Sequence, residues 1–285
     1  MPPSTEHSGP RQGLASPGPE HRLPTQSRFR AADALALAFA VAILVTFEVL
    51  HSAEFPPTSR RFFAALAITG VFALLAWFAG GVNLNGALAG SAVAFIMAVR
   101  DLRMFLALLM VFAVTLAATR IGYARKQQLR TAEPAGGRTA AQAMANLGIA
   151  ALVVAITGPG WPVLALAALA EAAGDTSSSE IGMAFPGKTF LITTFKPVPA
   201  GTDGGISLLG TVAALLGAAT VSLVAVISGM VLLRQAFPIV IAGFLGTLVD
   251  SLLGALFERR GWLNNDLVNL LSTAATVGIA WLLLR

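Results

Sequence analysis

Three stretches of the sequence carry residues able to do chemistry. The first is Glu171-Ala172-Ala173-Gly174-Asp175-Thr176-Ser177-Ser178-Ser179-Glu180-Ile181-Gly182, followed by Pro186-Gly187-Lys188. If a helix persists to residue 175, Glu171 and Asp175 lie four apart on one face. Carboxylates that converge near a membrane surface suit a divalent cation, because Mg²⁺ takes one or two carboxylates and completes its shell with phosphate oxygens and water. Asp175 and Glu180 form the expected metal set, completed by Glu171 or by Asp250 of the third stretch. The bland alternative is a helix cap beside solvated loop charges. The run abuts a short apolar segment, however, and carboxylates there are costly and kept for function.

The second stretch runs from Thr193 through Lys196 to Gly201-Thr202-Asp203-Gly204-Gly205-Ile206-Ser207. Its glycines allow close backbone approach, and successive amides followed by a helix start favour an anion. Gly201, Thr202, Asp203, Gly204, Gly205 and Ser207, with Thr176 of the first stretch, are the expected phosphate-binding residues, and Lys196 adds a point charge. No Gly-x-x-x-x-Gly-Lys-Ser/Thr pattern occurs, so this is not a P-loop. The third stretch, Gly246-Thr247-Leu248-Val249-Asp250-Ser251-Leu252-Leu253-Gly254, places Asp250 alone in an apolar run. A lone intramembrane carboxylate reads as functional. Two smaller signals join these. Arg138 follows Gly136-Gly137 and precedes Gln142 and Asn146, which share a helical face. Asn265, Asp266 and Asn269 open the last apolar segment, where Asn265 or Asp266 can serve as the N-cap.

The elements that must hold these residues are membrane helices. Of 285 residues, 56% are hydrophobic and 12% charged, against about 25% charged in a soluble domain, and mean hydropathy is +0.76. Long apolar runs near 33–50, 62–79, 84–99, 104–119, 141–157, 162–174, 207–233, 235–257 and 266–284 predict an all-α polytopic bundle of about 8–9 spans. The segment 162–174 is predicted to be a short broken helix leading into a polar cytoplasmic loop, tolerable only where protein walls surround it. Gly158-Pro159-Gly160 reads as a connection, and Gly70, Gly90, Gly217 and Gly229 as close helix packing. Residues 1–30, rich in Pro, Ser, Gly, Arg and Gln, read as a disordered arm ahead of a transmembrane domain over 31–285.

Charge and composition exclude other chemistry. With Cys absent there is no disulfide partner, and His7, His21 and His51 lie outside the apolar core segments. The pI of about 10.7 does not imply nucleic acid, because the basic residues lie at helix ends rather than in one patch. With the N-terminus inside, thirteen of the 19 Lys and Arg fall in cytoplasmic segments, which predicts that the N-terminus and the polar loops face the cytoplasm. The expected location is the plasma (inner) membrane.

At these residues the sequence resembles the integral-membrane family catalogued as domain of unknown function number 92, which includes the plant phytyl-phosphate kinase and mammalian transmembrane protein 19. The resemblance rests on Gly174-Asp175-Thr176-x-x-Ser179-Glu180-Ile181-Gly182, Pro199-x-Gly201-Thr202-Asp203-Gly204-Gly205-x-Ser207-x-x-Gly210, Gly136-Gly137-Arg138 with Gln142 and Asn146, Gly246-x-x-x-Asp250-Ser251-x-x-Gly254-Ala255, and Asp266-x-x-Asn269. It covers about residues 60–285. Members commonly carry Ala-Asp-Thr where Gly174 begins this motif, and often Asn where Asp203 stands. A more distant similarity to dolichol and phytol kinases implies polyprenyl phosphorylation with CTP or another NTP.

Together these readings predict a membrane-embedded phosphotransferase acting on an isoprenoid monophosphate or alcohol. Asp175, Glu180 and Asp250 serve catalysis with Lys196, Arg138 grips the acceptor phosphate, and Gln142, Asn146, Ser251 and Asn269 are polar core residues. The expected partners are the bilayer, the isoprenoid lipid and the nucleotide. The alternative is an ion-coupled transporter or lipid flippase that uses the same acidic pocket.

Overall fold

In the computed structural model of the protein, the described residues are 25–132, 136–157, 161–185 and 187–285. The expected disordered arm therefore lies outside them up to residue 24, and its last residues already belong to a helix. The same holds for Gly158-Pro159-Gly160 and for Pro186, which lie outside the described residues.

Among the described residues, nine long helices occupy the nine predicted spans: α1 (Thr25–His51), α2 (Arg60–Phe78), α3 (Leu84–Arg100), α4 (Leu102–Arg120), α6 (Ala140–Ile156), α7 (Trp161–Ala184), α8 (Leu208–Ile227), α9 (Leu233–Leu256) and α10 (Asn265–Leu283), with a six-residue helix α5 (Tyr123–Gln128) after α4. Six of them are long and apolar enough to cross a membrane, and Leu84–Arg100 and Ala140–Ile156 are shorter apolar helices. Helix starts follow short polar side chains that satisfy the first free amides. Asn83 accepts from Gly86 N–H at 2.8 Å, Asp101 from Arg103 N–H at 2.9 Å, Ser207 from Gly210 N–H at 3.1 Å and Asn264 from Leu267 N–H at 2.9 Å. The cap of α10 is thus Asn264, which frees Asn265 and Asp266 for other contacts. Large apolar side chains such as Val41, Phe63, Leu74, Leu223 and Phe237 are exposed on the outer faces, the inverse of a water-soluble surface and the normal state of a lipid-facing one.

The bundle is organised around α7, which packs against α4, α6, α8, α9 and α10. Its residues Ala165–Ala170 are fully buried, and small side chains let neighbours approach closely. Here the structure corrects the expected broken helix. The polar run from Glu171 to Glu180 remains helical to Ala184. Ser177 donates to the Ala173 carbonyl at 2.7 Å and Ser179 to the Asp175 carbonyl at 3.1 Å, so these hydroxyls bond back to the helix instead of unwinding it. Gly217 of α8 meets this stretch: a Cβ there would stand 2.6 Å from Ser177 Oγ and 2.7 Å from the Ala173 carbonyl oxygen. The backbone cannot yield cheaply, so Gly217→Ala is expected to destabilise the protein by about 1–3 kcal/mol. Thermal denaturation in detergent reads this, and an unshifted melting curve would disprove the close crossing.

The polar elements gather at one end. Because successive helices alternate in direction, the starts of α1, α3, α6, α8 and α10 meet the ends of α2, α4, α7 and α9 there. A small antiparallel sheet of β1 (Thr189–Leu191), β2 (Pro197–Val198) and β3 (Gly205–Ser207), ordered β2-β1-β3, spans the link from α7 to α8. Thr189 pairs with both Val198 and Ser207.

A candidate phosphotransfer site at one end of the bundle

A cavity of about 370 Å³ opens among α6, α7, α9, α10 and the β2–β3 loop. Its wall brings together Arg138, Gln142 and Asn146 from α6 and its approach, Asp175, Thr176 and Glu180 from α7, Gly201–Gly205 and Ser207 from the link to α8, Asp250 and Ser251 from α9, and Asn269 from α10. Residues as far apart in the chain as Arg138 and Asn269 therefore meet around one space.

Arg138 is placed by its backbone. Its N–H donates to the Gly81 carbonyl at 3.1 Å and its carbonyl accepts from Asn83 N–H at 3.0 Å, clamping it to the α2–α3 turn. Gly137 has φ +74°, the left-handed region that a side chain resists, and a Cβ there would press on Val82. One residue later α6 begins with a reciprocal cap: Gln142 Oε1 accepts from Thr139 N–H at 2.9 Å and Thr139 Oγ1 from Gln142 N–H at 3.3 Å. Asn146 Nδ2 donates to the Gln142 carbonyl at 2.9 Å. Asp33 of α1 accepts from Ala141 N–H and from the Asn85 side chain, each at 3.1 Å, and so ties α1, α3 and α6 together beneath the site.

Asp175 and Asp250 form the centre of the acidic face. Asp175 lies within hydrogen-bonding reach of Asp250 and within the field of Arg138 and Glu180. Ser272 of α10 joins the deeper layer: its Oγ lies 2.7 Å from Glu171 Oε1 and 3.2 Å from Asp250 Oδ2. Thr273 donates to Glu171 Oε2 at 2.9 Å. A second negative charge this close is costly where water is scarce, and either a shared proton or a bound cation would relieve it.

Asp175, Glu180 and Glu171 do not converge as one set, and Asp250, the expected alternative to Glu171, is the acid that stands beside Asp175. Among the described residues no group of three His, Cys, Asp or Glu side chains is arranged to hold a metal ion. Glu171 is fully buried one turn deeper and is held by Ser272 and Thr273. Glu180 is ion-paired to Lys126 of α5, whose ammonium also donates to the carbonyls of Ala118 and Thr119. The pair that fits a cation bound partly by phosphate oxygens and water is Asp175 with Asp250.

Two other expectations change. Lys196 is exposed on the β1–β2 hairpin and lies outside the cavity wall, because the tight turn at Phe195, φ +52°, carries it away from the glycine loop. In that loop Gly201 and Gly204 have φ +84° and +73°, but Thr202 N–H is given to the Pro199 carbonyl and Gly205 N–H to the Thr202 carbonyl. The loop curls on itself, so it offers an anion fewer amides than a full cradle. Ser207 lines the cavity while capping α8.

One cavity residue and several that support the site were not foreseen. Glu258, just past α9, lies on the wall and within the field of Asp203, Asp175 and Asp266. Ser272 and Thr273 belong to a polar stripe, Asn269-Ser272-Thr273-Thr276, whose three- and four-residue spacing inside an apolar helix was the available signal. Lys126 lies in a run of basic residues after α4, and its burial depends on the fold of α5 against α7.

Comparison with known proteins places the cavity within a known family match. The family described as integral membrane protein DUF92 matches residues 67–277, a span that contains every residue of the cavity wall. An uncharacterized membrane protein of Methanocaldococcus jannaschii is 34% identical over 224 residues, which cover 76% of this chain and 91% of the relative. Protein PGR of Arabidopsis thaliana is 33% identical over 239 residues, 73% of this chain and 83% of that protein. Protein VTE6 of the same plant, a chloroplastic protein, is 33% identical over 181 residues, 59% of this chain and 54% of that protein. No solved structure matches the chain.

Proposed function

The chain belongs to the DUF92 family of integral membrane proteins, and from that premise we propose that it is a membrane-embedded phosphotransferase, which phosphorylates an isoprenoid monophosphate or alcohol with CTP or another NTP and Mg²⁺. The observation that carries this reading is the wall of the larger cavity. Asp175, Glu180, Asp203, Asp250 and Glu258 line it with a single basic side chain among the described wall residues, Arg138. Three helices, α6, α8 and α10, also begin at this wall, and helix starts favour anions. A space that offers acids, one guanidinium and helix N-termini suits a phosphate ligand accompanied by a divalent cation.

In this reading Asp175 and Asp250 hold Mg²⁺, which supplies charge neutralisation on the phosphoryl oxygens when bound. Arg138, fixed by its backbone clamp, grips the acceptor phosphate. The glycine loop and the start of α8 face the donor phosphates. An oxygen of the acceptor attacks the γ-phosphorus, the bond to the β–γ bridging oxygen breaks, and the nucleoside diphosphate leaves with that electron pair. A monophosphate oxygen is already ionised, so positioning and charge neutralisation suffice. An alcohol acceptor would pass its proton to a cavity carboxylate. The positive bias of the segments at this end supports a cytoplasmic orientation, where nucleotides are abundant, and hence a plasma (inner) membrane location.

The test is binding followed by transfer. With Mg²⁺ present, a nucleotide at about a hundredfold excess over its Kd is expected to stabilise the detergent-purified protein by about 2.7 kcal/mol, and label from the γ-phosphate is expected to reach phytyl or geranylgeranyl phosphate. If CTP, ATP, GTP and UTP all leave both the melting curve and the lipid phosphates unchanged, the reading is wrong and ion-coupled transport takes its place.

A further inference from the structure

A second cavity, of about 220 Å³, lies beside the first between α2, α3, α4 and α6. Its wall is largely apolar, with Phe72 and Ala76 from α2, Ala87 from α3, and Leu108, Val111 and Phe112 from α4. Arg138, Gln142 and Asn146 belong to the walls of both cavities. The two spaces therefore meet at one guanidinium and two amides. From Arg120, at the end of α4, the wall descends to Leu108, roughly 18 Å at about 1.5 Å per residue. The second cavity is thus a narrow shaft that runs along the helices from the polar end into the bundle.

Gly90 gives this shaft its width. It lies on the wall, and a Cβ built there would meet nothing within 4 Å. The glycine therefore leaves space open instead of serving close packing, the role its place in an apolar span predicted. Gly86, one turn earlier on the same face, does the opposite and abuts the Arg138 carbonyl. The two glycines thus divide the labour along α3: one seats the backbone of the phosphate-gripping arginine, and the other keeps the space below it empty.

We propose that the shaft holds the prenyl tail of the acceptor, with its phosphate at Arg138, and that Gly90 sets the chain length the protein accepts. The inference rests on the phosphotransferase reading above and adds where the tail lies and which residue reads it. An apolar wall below a single guanidinium suits a hydrocarbon tail that carries one phosphate. Its position also separates the lipid from the nucleotide, so that the two substrates meet only at the Arg138 junction.

Gly90 lies one turn, about 6 Å, below the Arg138 contact of Gly86. The test therefore compares dimethylallyl phosphate, whose five-carbon tail ends near that depth, with geranylgeranyl phosphate, whose tail must pass it. Gly90→Phe is expected to lower the ratio of kcat/KM for the long over the short acceptor by about tenfold or more, in the range by which pocket shape separates apolar substrates. Gly90→Leu is expected to give an intermediate ratio and carries the measurement if the larger side chain impairs folding. Leu88→Phe, at an exposed position of the same helix, is expected to leave the ratio unchanged. A Gly90 series whose ratio stays within about twofold of wild type, or whose activity falls equally on both acceptors, overturns the inference while leaving the phosphotransferase reading intact. A wild-type protein that phosphorylates neither acceptor removes the function reading instead. A readout free of turnover separates these cases: a geranylgeranyl phosphate with a diazirine at its tail end is expected to label peptides of α3 and α4 on illumination. Labelling confined to the outer faces of α1, α8 or α9 overturns the assignment.

Discussion

Asp175→Asn and Asp250→Asn are each expected to lower kcat about 10²–10³-fold, the loss typical when a group that stabilises transition-state charge is removed. The amide keeps the shape of each side chain but removes the negative charge that would draw Mg²⁺ into the cavity. Two further signatures distinguish this loss from misfolding. The Mg²⁺ concentration needed for half-maximal activity is expected to rise in both variants. Their melting temperatures in detergent are expected to hold or to increase, because neutralising one member of a repelling pair relieves strain that the resting protein carries. Turnover within threefold of wild type in both variants would remove Asp175 and Asp250 from the reacting centre. Nucleotide-independent transport that lost only its ion dependence would favour the ion-coupled alternative.

The largest expected effect on stability is at Lys126. Its side chain is fully buried and is ion-paired to Glu180, itself almost fully buried. Lys126→Met would remove the ammonium that pairs with that carboxylate, and breaking a buried pair costs about 3–5 kcal/mol. Glu180→Gln added to Lys126→Met is expected to restore much of the loss, since the double variant buries no orphan charge. Thermal or denaturant unfolding of the single and double variants measures the coupling directly. If Lys126→Met melts with wild type, α5 is not pinned to α7 by this pair.

The fold was largely legible because apolar runs of bilayer length leave few alternatives, and all nine became helices. The site was legible where chemistry conflicts with its surroundings. Asp175, Asp250 and Arg138 stand out because charge in an apolar chain needs a reason, and the structure brings all three to one cavity. What stayed hidden depends on tertiary contact. Residues 176–180, Thr-Ser-Ser-Ser-Glu, have the composition of a loop, yet α8 and α9 supply the packing that keeps them helical, an override of local propensity by burial. The partner of Glu180 lies 54 residues away, and no pattern in either segment names it. Lys196 was assigned by proximity along the chain, and one left-handed residue, Phe195, redirects it. Gly90 and Gly217 are alike in sequence, and only their neighbours show that one fills a crossing while the other leaves room.

The central position of α7 bears on how this protein can change. In many enzymes reactive groups sit on surface loops, so that substitutions can retune activity while a separate scaffold preserves the fold. Here Asp175 and Glu180 ride on the helix that every neighbouring element leans upon, and few changes near them leave the architecture untouched. Variation that alters what the protein accepts is therefore channelled to the periphery, to α3 and to the hairpin after α7. Directed evolution begun at those two places would search a far more permissive landscape than one begun at the acids.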